Sequence, residues 1–312
     1  MPELPDLIVY IDALRRYLVN RRLERVFLLS PFVLRSVDPP IEAVLGRDVR
    51  AVERVGKRLV LAFDRTPGAG PAADQGGSDL LLVIHLMIAG RLKWAPAQPG
   101  GGPGKRPSPK LVLAAFEFAH GTLFFTEASS KKRASIRLVR GHDALAALDP
   151  AGVEPLEATL EIFRDALRRE QHTLKRALTD PRLFSGIGNA YSDEILHAAR
   201  LSPLKLTRSL TDEEVATLYG ATRSTLTAWI ERLRAQTGDG FPDNVTAFRA
   251  EMAVHGRFRK PCLVCGAPVQ RIVYAENECN YCARCQTGGR LLADRSLSRL
   301  LRDDWPRSID DL

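Results

Sequence analysis

Five cysteines lie close together near the end of this 312-residue sequence, at Cys262, Cys265, Cys279, Cys282 and Cys285. Sixteen residues separate two Cys-x-x-Cys pairs, 262/265 and 282/285, and two such turns can present four thiolates to a tetrahedral zinc ion. A pairing of 279 with 282 stays open, although the spacing favours 282/285 and leaves Cys279 free. We therefore predict one structural Zn²⁺ ion, bound by Cys262, Cys265, Cys282 and Cys285.

A second candidate for chemistry is the first residue that follows the initiator methionine. The sequence begins MPELPD, so removal of Met1 would expose the secondary amine of Pro2. An α-amino group has a reference pKa of about 7.7 to 8, which leaves a useful fraction unprotonated at neutral pH. Such an amine can attack an electrophilic carbon and form an iminium. A Met-Pro start is common, so this interpretation depends on the rest of the sequence.

A glycine-rich turn lies between two helical segments, at Gly186-Ile187-Gly188-Asn189. A turn of this kind exposes backbone N–H groups at the N-terminus of a helix, where a phosphate can bind. Taken alone, a tight helix–helix connection is the simpler interpretation.

The composition indicates a folded globular protein with an anionic partner. The net charge is +8 and the isoelectric point is near 9.4, which favours nucleic acid or another acidic surface. No apolar run approaches the roughly 18 to 20 residues that cross a bilayer, so we predict no membrane association. The N-terminal segment carries acids where a secretory signal would carry Lys or Arg, and we therefore predict a cytoplasmic protein.

The sequence of the first half of the chain predicts a helix followed by strands. Leu7, Ile11, Leu14 and Leu18 form an apolar stripe that predicts a helix over 5–20. Short aliphatic runs then predict strands of a sandwich or flattened barrel over 49–55, 59–63, 80–86, 111–118, 122–126 and 136–139. Two Gly/Pro/Ala-rich stretches, 66–78 and 95–109, predict surface loops.

The second half has helical periodicity, then the cysteine module. We predict helices over 156–178, 189–199 and 211–235, the last one with a capping box of Thr211 and Glu214. Leu297, Leu300 and Leu301 in the tail have helical spacing, with Trp305 following, and we expect the tail to pack back on the protein rather than to form a partner site. The predicted fold class is a multidomain α+β protein, divided into a β-sandwich domain with an N-terminal helix, a helical domain, a zinc finger and a tail, over 1–148, 149–247, 248–290 and 291–312.

These features occur together in a known order. The start MPELPD, Lys57 in Val55-Gly56-Lys57-Arg58, the run GIGNAYSDE over 186–194, Val254-His255-Gly256-Arg257, and the two Cys-x-x-Cys pairs ending in Cys285-Gln286 follow one another along the chain. Together they resemble the formamidopyrimidine-DNA glycosylase/endonuclease VIII family of base-excision repair enzymes over about residues 1 to 287. The resemblance implies a β-sandwich, a helix-two-turn-helix domain that binds DNA, and a zinc-finger β-hairpin.

The resemblance also implies the roles of the site residues. Pro2 would attack C1′ of a flipped-out damaged nucleotide, and Glu3 would donate a proton to the opening sugar. The resulting Schiff base permits β- and often δ-elimination of the phosphates. Lys57 and Asn189 match residues that bind DNA phosphates, and Arg257 lies in a matching motif.

Three departures from the family pattern concern specificity more than chemistry. Asp6 stands in place of a second glutamate that assists proton movement, and Asn277 stands near the position of an arginine in the zinc hairpin. The segment over 127–134, which holds Lys132 and Arg133 as further DNA-binding candidates, lacks an aromatic wedge. Met87 or Ile88 could supply an apolar plug instead, and core packing is the alternative for both. Purine and pyrimidine lesions both remain open as substrates.

Three functions compete. The first is a bifunctional DNA glycosylase/AP lyase that acts as a monomer on damaged or abasic double-stranded DNA. The second is a non-catalytic DNA-binding protein on the same scaffold, and the third is an RNA-binding zinc ribbon. Retention of Pro2 and Glu3 favours the first, because a protein that only binds DNA has no use for an amine beside a carboxylate.

Overall fold

The structure is a computed structural model, and it describes residues 1–64, 79–97, 107–243, 245–274, 277–293 and 306–311. The side chains at 274 and 277 lie outside the described part as well. The chain divides into two compact units: one comprises 1–149 with 232–245, and the other comprises 150–231 with 246–312. No helix in the described part has both the length and the apolar composition that a membrane crossing requires.

The first unit begins with helix α1 (Leu4–Leu18), and its described strands form two four-stranded antiparallel sheets. The sheet orders are β2-β3-β4-β8 and β1-β6-β7-β5. The strand bounds are β1 Leu23–Leu28, β2 Val49–Val55, β3 Arg58–Phe63, β4 Leu80–His85, β5 Gly90–Pro96, β6 Val112–Phe118, β7 Gly121–Glu127 and β8 Ser135–Arg140. A short helix, α2 (Gly141–Ala146), follows the last strand.

One apolar core joins α1 to both sheets. The predicted stripe of Leu7, Ile11, Leu14 and Leu18 is buried in it with side chains of both sheets, such as Leu82 and Phe125. Burial of each large aliphatic side chain contributes about 1.5 to 3 kcal/mol, so this stripe fixes the start of the chain on the sheets.

The helical stripe and six of the strands were predicted from the sequence, whereas β1 and β5 were not. β1 is an edge strand with a single buried residue, and β5 runs into the glycine-rich segment that was expected to be a loop from residue 95. Residues 66–78 and most of the stretch 95–109 lie outside the described residues.

The second unit contains the remaining helices and the cysteine module. The helix predicted over 156–178 is wrong as a single element, because it divides into α3 (Leu160–Arg168) and α4 (Leu174–Thr179). The side chain of Thr173 caps α4 by accepting the N–H of Arg176 at 3.4 Å, and a polar N-cap of this kind begins a new helix.

Two further helices follow as predicted. α5 covers Asn189–Ala198, and α6 covers Asp212–Thr237, the last residues of which belong to the first unit. The capping box of α6 is confirmed, because Thr211 N–H donates to the Glu214 carboxylate at 3.0 Å and Glu214 N–H donates to the Thr211 hydroxyl at 3.2 Å.

The cysteine module is a two-stranded hairpin followed by a short helix. β9 (Gln270–Tyr274) pairs with β10 (Asn277–Tyr281), and α7 covers Ala283–Thr287. Described parts of the tail pack on this hairpin: Leu291, Leu292 and Ile309 share a core with it. Leu297, Leu300, Leu301 and Trp305 lie outside the described residues, so their predicted packing stays a prediction, as do the four domain bounds.

Candidate functional site

The N-terminal residues are held by the first turn of α1. Glu3 is the N-cap of α1. Pro5, in the first turn of the helix, has no N–H that would be left without a partner. Asp6 accepts the backbone N–H of Glu3 at 3.0 Å, and the reciprocal bond completes a capping box. Pro2, Glu3 and Asp6 are all buried, so the local sequence fixes the place of the chain end.

The α-amino group of Met1, one residue ahead of Pro2, lies among two acids and two cations. Burial lowers its pKa below the ordinary value for such a group. Glu3 and Asp6 act in the opposite direction, whereas Arg91 and Lys57 add to the lowering. The net effect favours the neutral, nucleophilic form of the amine.

Lys57 lies in the two-residue connection between β2 and β3. Gly56 adopts a positive φ of 58°, which a tight turn of this length requires and glycine supplies without strain. The next residue, Arg58, pairs across the sheet with His85 at the end of β4. Burial, then Arg58 and Lys57, lower the pKa of His85 to about 4, so this imidazole is neutral at pH 7. The sequence reasoning missed His85 as a site residue.

The turn between β4 and β5 presents one apolar side chain to solvent. Ile88 is 59% exposed, and Met87 adopts a positive φ of 51° that non-glycine residues rarely take. A Cβ atom at Gly90 would lie 2.2 Å from the Leu86 carbonyl oxygen, so only glycine fits there. The Arg91 guanidinium donates to the carbonyls of Ile88 at 3.2 Å and Gly90 at 2.7 Å, which fixes the turn.

The segment over 128–134 is organised by one buried acid. The carboxylate of Glu127 accepts the N–H groups of Arg133 and Ala134, each at 3.2 Å, and the hydroxyl of Ser129 at 2.9 Å. The Lys132 ammonium donates to the Glu127 carbonyl. Lys132 and Arg133, both predicted to bind DNA, are exposed together with the preceding lysine and form a short basic surface in the first unit.

The predicted phosphate-binding turn lies in the second unit. Asn189 is the first residue of α5, and its side-chain amide donates to the carbonyl of Glu278 in β10 at 2.7 Å. The Lys175 ammonium donates to the Asn189 carbonyl at 2.7 Å and to the Ser192 hydroxyl at 2.8 Å. The sequence reasoning had not assigned Lys175 any role.

Three cationic residues of the cysteine module have partners of their own. Arg257 donates to the carbonyls of Ala250 and Pro261, at 3.5 and 3.0 Å, and so braces the loop that holds it. Arg271 pairs with Glu278 at 3.6 Å, and Arg284 pairs with Asp310 at 2.9 Å.

Asn277 is the first residue of β10, where it pairs with Tyr274, and its side chain lies outside the described part.

Four cysteines form the cluster that the spacing predicted. The Sγ atoms of Cys262, Cys265, Cys282 and Cys285 all lie within 4.8 Å of one another, with 3.9 Å between 262 and 285 and 3.4 Å between 265 and 282. Zn–S bonds of about 2.3 Å imply tetrahedral S···S distances near 3.8 Å, so the four thiols fit such an ion. Cys279 is outside the cluster, and burial raises the pKa of its thiol.

Two polar residues to which the sequence reasoning gave no role at the cysteines support the cluster. His197 Nε2, on α5, lies 3.3 Å from the Sγ of Cys262. Gln286 accepts the N–H of Cys282 at 2.8 Å and donates to the Leu201 carbonyl at 2.9 Å. Contacts of this kind fix the orientation of metal ligands.

The predicted residues therefore form two sets. Pro2, Glu3, Asp6 and Lys57 lie in the first unit with Lys132 and Arg133, whereas Asn189, Arg257, Asn277 and the cysteines lie in the second. The acidic and cationic neighbours of the amine, Arg91 among them, come from separate elements, so only the fold brings them together.

Comparison with known proteins gives the class of this architecture. Residues 1–133 match the family model of the formamidopyrimidine-DNA glycosylase N-terminal domain, and residues 151–239 match that of the formamidopyrimidine-DNA glycosylase H2TH domain. A formamidopyrimidine-DNA glycosylase of Desulforamulus reducens is 30% identical over 298 residues, which covers 92% of this chain and 99% of the relative. The chain belongs to the formamidopyrimidine-DNA glycosylase family.

Solved structures agree with this assignment. The crystal structure of the MutM (Fpg) protein from Thermus thermophilus is 31% identical and superposes with a TM-score of 0.72, covering 91% of this chain and 98% of that one. A complex between the Lactococcus lactis Fpg and an abasic site containing DNA has a TM-score of 0.75 at 22% identity, covers 91% of this chain and 99% of that chain, and supports the fold.

Proposed function

We propose that this protein is a bifunctional DNA glycosylase/AP lyase that excises oxidised bases through a Schiff base on Pro2. The observation that carries the proposal is the burial of Pro2 and Glu3 directly after the α-amino group of Met1, whose pKa burial lowers below its ordinary value. The family assignment supports a DNA repair glycosylase, and the relatives named above are glycosylases. The amine extends that assignment to lyase chemistry.

The chemistry follows from the two groups once Met1 is removed. The neutral amine of Pro2 attacks C1′, the glycosidic bond breaks, and the base leaves and takes up a proton. Glu3 donates a proton to the ring oxygen as the sugar opens, which leaves an iminium between Pro2 and C1′. Loss of a C2′ proton then expels the 3′ phosphate, a further elimination expels the 5′ phosphate, and water hydrolyses the iminium to restore the amine.

Binding of damaged or abasic double-stranded DNA is assigned to groups in both units. Lys57, Lys132 and Arg133 supply positive charge in the first unit, and Asn189 supplies a neutral amide donor in the second. Asn277 and Arg257 stay in the proposal as hairpin and loop contacts. Asp6 supports the site through its bond to the Glu3 N–H rather than by touching DNA.

We also propose that the cysteine cluster binds a single structural Zn²⁺ ion. When bound, this ion supplies a covalent link between the two ends of the hairpin module and contributes directly to its folding free energy. The protein would act as a monomer in the cytoplasm.

The apolar turn over 86–90 bears on lesion choice without deciding it. Exposure of Ile88 supports insertion of this side chain into the space that a flipped base leaves. Purine and pyrimidine lesions both fit that arrangement.

Borohydride trapping on an abasic-site duplex tests the proposal. We expect a covalent adduct with the mature protein and none when an alanine is inserted before Pro2, because the insertion blocks the proline nitrogen. Pro40→Gly, at an exposed proline of the same unit, is the matched control and should still be trapped. Duplex binding without any adduct in the mature protein would overturn the lyase assignment.

A non-catalytic DNA-binding protein is the second candidate. Asn277 in place of an arginine and the segment over 127–134 without an aromatic wedge favour it, because both departures fall outside the residues that bind a duplex through its phosphates. The same experiment separates the two, since a binding protein would retain the abasic duplex and form no adduct.

A further inference from the structure

A buried carboxylate in the second unit has no place in the function proposed above. Asp193, on α5, is 1% exposed and ion-paired with Lys175 through Oδ1. Its Oδ2 atom accepts Nδ1–H of His255 at 2.8 Å and the backbone N–H of Asn280 at 3.1 Å. An acid so deeply buried is tolerated only when it is paired and hydrogen-bonded, and here both oxygens are.

The partners of Asp193 reach Asn189 from two sides. Lys175 also donates to the Asn189 carbonyl at 2.7 Å, and so holds the backbone of the first turn of α5. Asn280 lies in β10 two residues after Glu278, whose carbonyl accepts the Asn189 side-chain amide at 2.7 Å. One carboxylate therefore fixes both groups that hold Asn189.

The bond to Glu278 fixes the orientation of the Asn189 amide. A carbonyl oxygen can only accept, and the only donor atom of an asparagine side chain is Nδ2, so the Nδ2 atom must face Glu278. An amide nitrogen carries two hydrogens, and the second has no partner among the residues that the structure describes. Asn189 is half-buried, which leaves this hydrogen in a fixed direction before any ligand binds.

We propose that Asp193 is a positioning residue that, through Lys175 and Asn280, presents the Asn189 amide to a DNA phosphate. This inference rests on the phosphate-binding role of Asn189 in the proposed function. Burial acts to raise the pKa of Asp193, but Lys175 and His255 bring it below the usual value, so the carboxylate stays charged. An amide in its place could not balance the charge of Lys175.

A duplex with a tetrahydrofuran abasic-site analogue and neutral methylphosphonate linkages, introduced one at a time, tests the proposal. In the wild-type protein, a neutral linkage at one position near the lesion should weaken binding of the duplex. This loss of affinity, the penalty of that linkage, should disappear in Asn189→Ala. Asp193→Asn should remove the penalty at the same linkage and weaken binding of the unmodified duplex about tenfold. A general loss of structure would instead weaken binding at all linkages equally.

The double variant gives a second readout. If Asp193 acts through Asn189, the combination of Asn189→Ala with Asp193→Asn should bind no more than about twofold more weakly than either single variant. Asp212→Asn is the matched control, because this exposed acid of the same unit pairs with Arg168 instead. It should bind as the wild type does.

Lys175→Met keeps the test decisive should Asp193→Asn fail to fold. Methionine retains an unbranched side chain but removes the bonds to Asp193 and to the Asn189 carbonyl, so the same linkage should lose its penalty. Persistence of that penalty in Asp193→Asn or in Lys175→Met, or additive losses in the double variant, would overturn the positioning role. Absence of any linkage that depends on Asn189 would instead overturn the phosphate role in the proposed function.

Discussion

His85 is a residue whose surroundings, more than its type, decide its charge. It pairs with Arg58 across the sheet and lies near Lys57, so its imidazole is neutral where an exposed histidine would begin to protonate. A neutral imidazole can donate one hydrogen bond without adding charge to an already cationic site. Its titration is therefore coupled to the stability of the fold.

The lowered pKa of His85, about 4 against 6.5, sets the direction of a pH effect. The unfolded chain binds the proton more readily, so the free energy of unfolding should decrease as the pH falls from about 6.5 towards 4. We expect this residue to account for about 2 kcal/mol of the loss between pH 7 and 4.5. Urea unfolding of His85→Gln at several pH values should show a free energy of unfolding that depends less on pH than that of the wild type, and an unchanged dependence would contradict the role of His85.

Lys57 should act on DNA binding through its charge. Removal of a phosphate-neutralising lysine reduces counterion release, so Lys57→Ala should weaken duplex binding and reduce the log–log salt slope by about one. Titrations at several salt concentrations measure this slope. Lys110→Ala, an exposed lysine of the same unit, is the control. An unchanged slope in Lys57→Ala would remove the residue from the site.

Among the elements, those with strong local signals were predictable from the sequence. The α1 stripe, the α6 capping box and the cysteine spacing are local patterns, and the structure confirms each. The break after α3 was missed because the apolar period continues through it while the cap of Thr173 is a single hydroxyl. Arg91, a neighbour of the chain end, and His85, which pairs with Arg58 beside Lys57, were missed because only the pairing of distant strands brings them to these places.

The β4–β5 turn and the middle of α6 predict opposite effects for two glycine substitutions. Gly90→Ala should destabilise the protein by about 2 kcal/mol or more, because the new Cβ atom would meet the Leu86 carbonyl oxygen at 2.2 Å. Gly220→Ala should stabilise it by about 0.5 to 1 kcal/mol, since this glycine is exposed within α6 and has open space around it. Denaturant unfolding of both variants measures the two changes in the free energy of unfolding. Equal changes in the two variants would contradict the prediction.

At the scale of the whole molecule, the two units carry different determinants of stability. The core of the first unit consists of α1 and two sheets, and it includes none of the five cysteines. The second unit contains the cysteine cluster, and α5 connects to it through His197 and, by way of Leu201, Gln286. Loss of a bound metal ion should therefore destabilise the second unit more than the first.

Removal of zinc with a chelator, followed through two tryptophan reporters, measures this difference in stability between the units. Trp94 lies in the first unit and Trp229 in the second, where it contacts Tyr191 of α5. Two single-tryptophan proteins isolate them by replacing the other reporter, and Trp305, with phenylalanine. We expect a zinc chelator to lower the unfolding midpoint reported by Trp229 more than that reported by Trp94, because structural zinc contributes to folding where it binds. Equal shifts would contradict a local role for the metal.

The burial of Pro2 and Glu3 directly ahead of α1 restricts how this protein can be combined with others. Any residue joined ahead of Pro2 turns its nitrogen into an amide, so the chemistry proposed above requires such an addition to be cleaved off. Recombinant versions should therefore carry their affinity handles elsewhere, and gene fusions that keep the activity should join new modules at a different point of the chain.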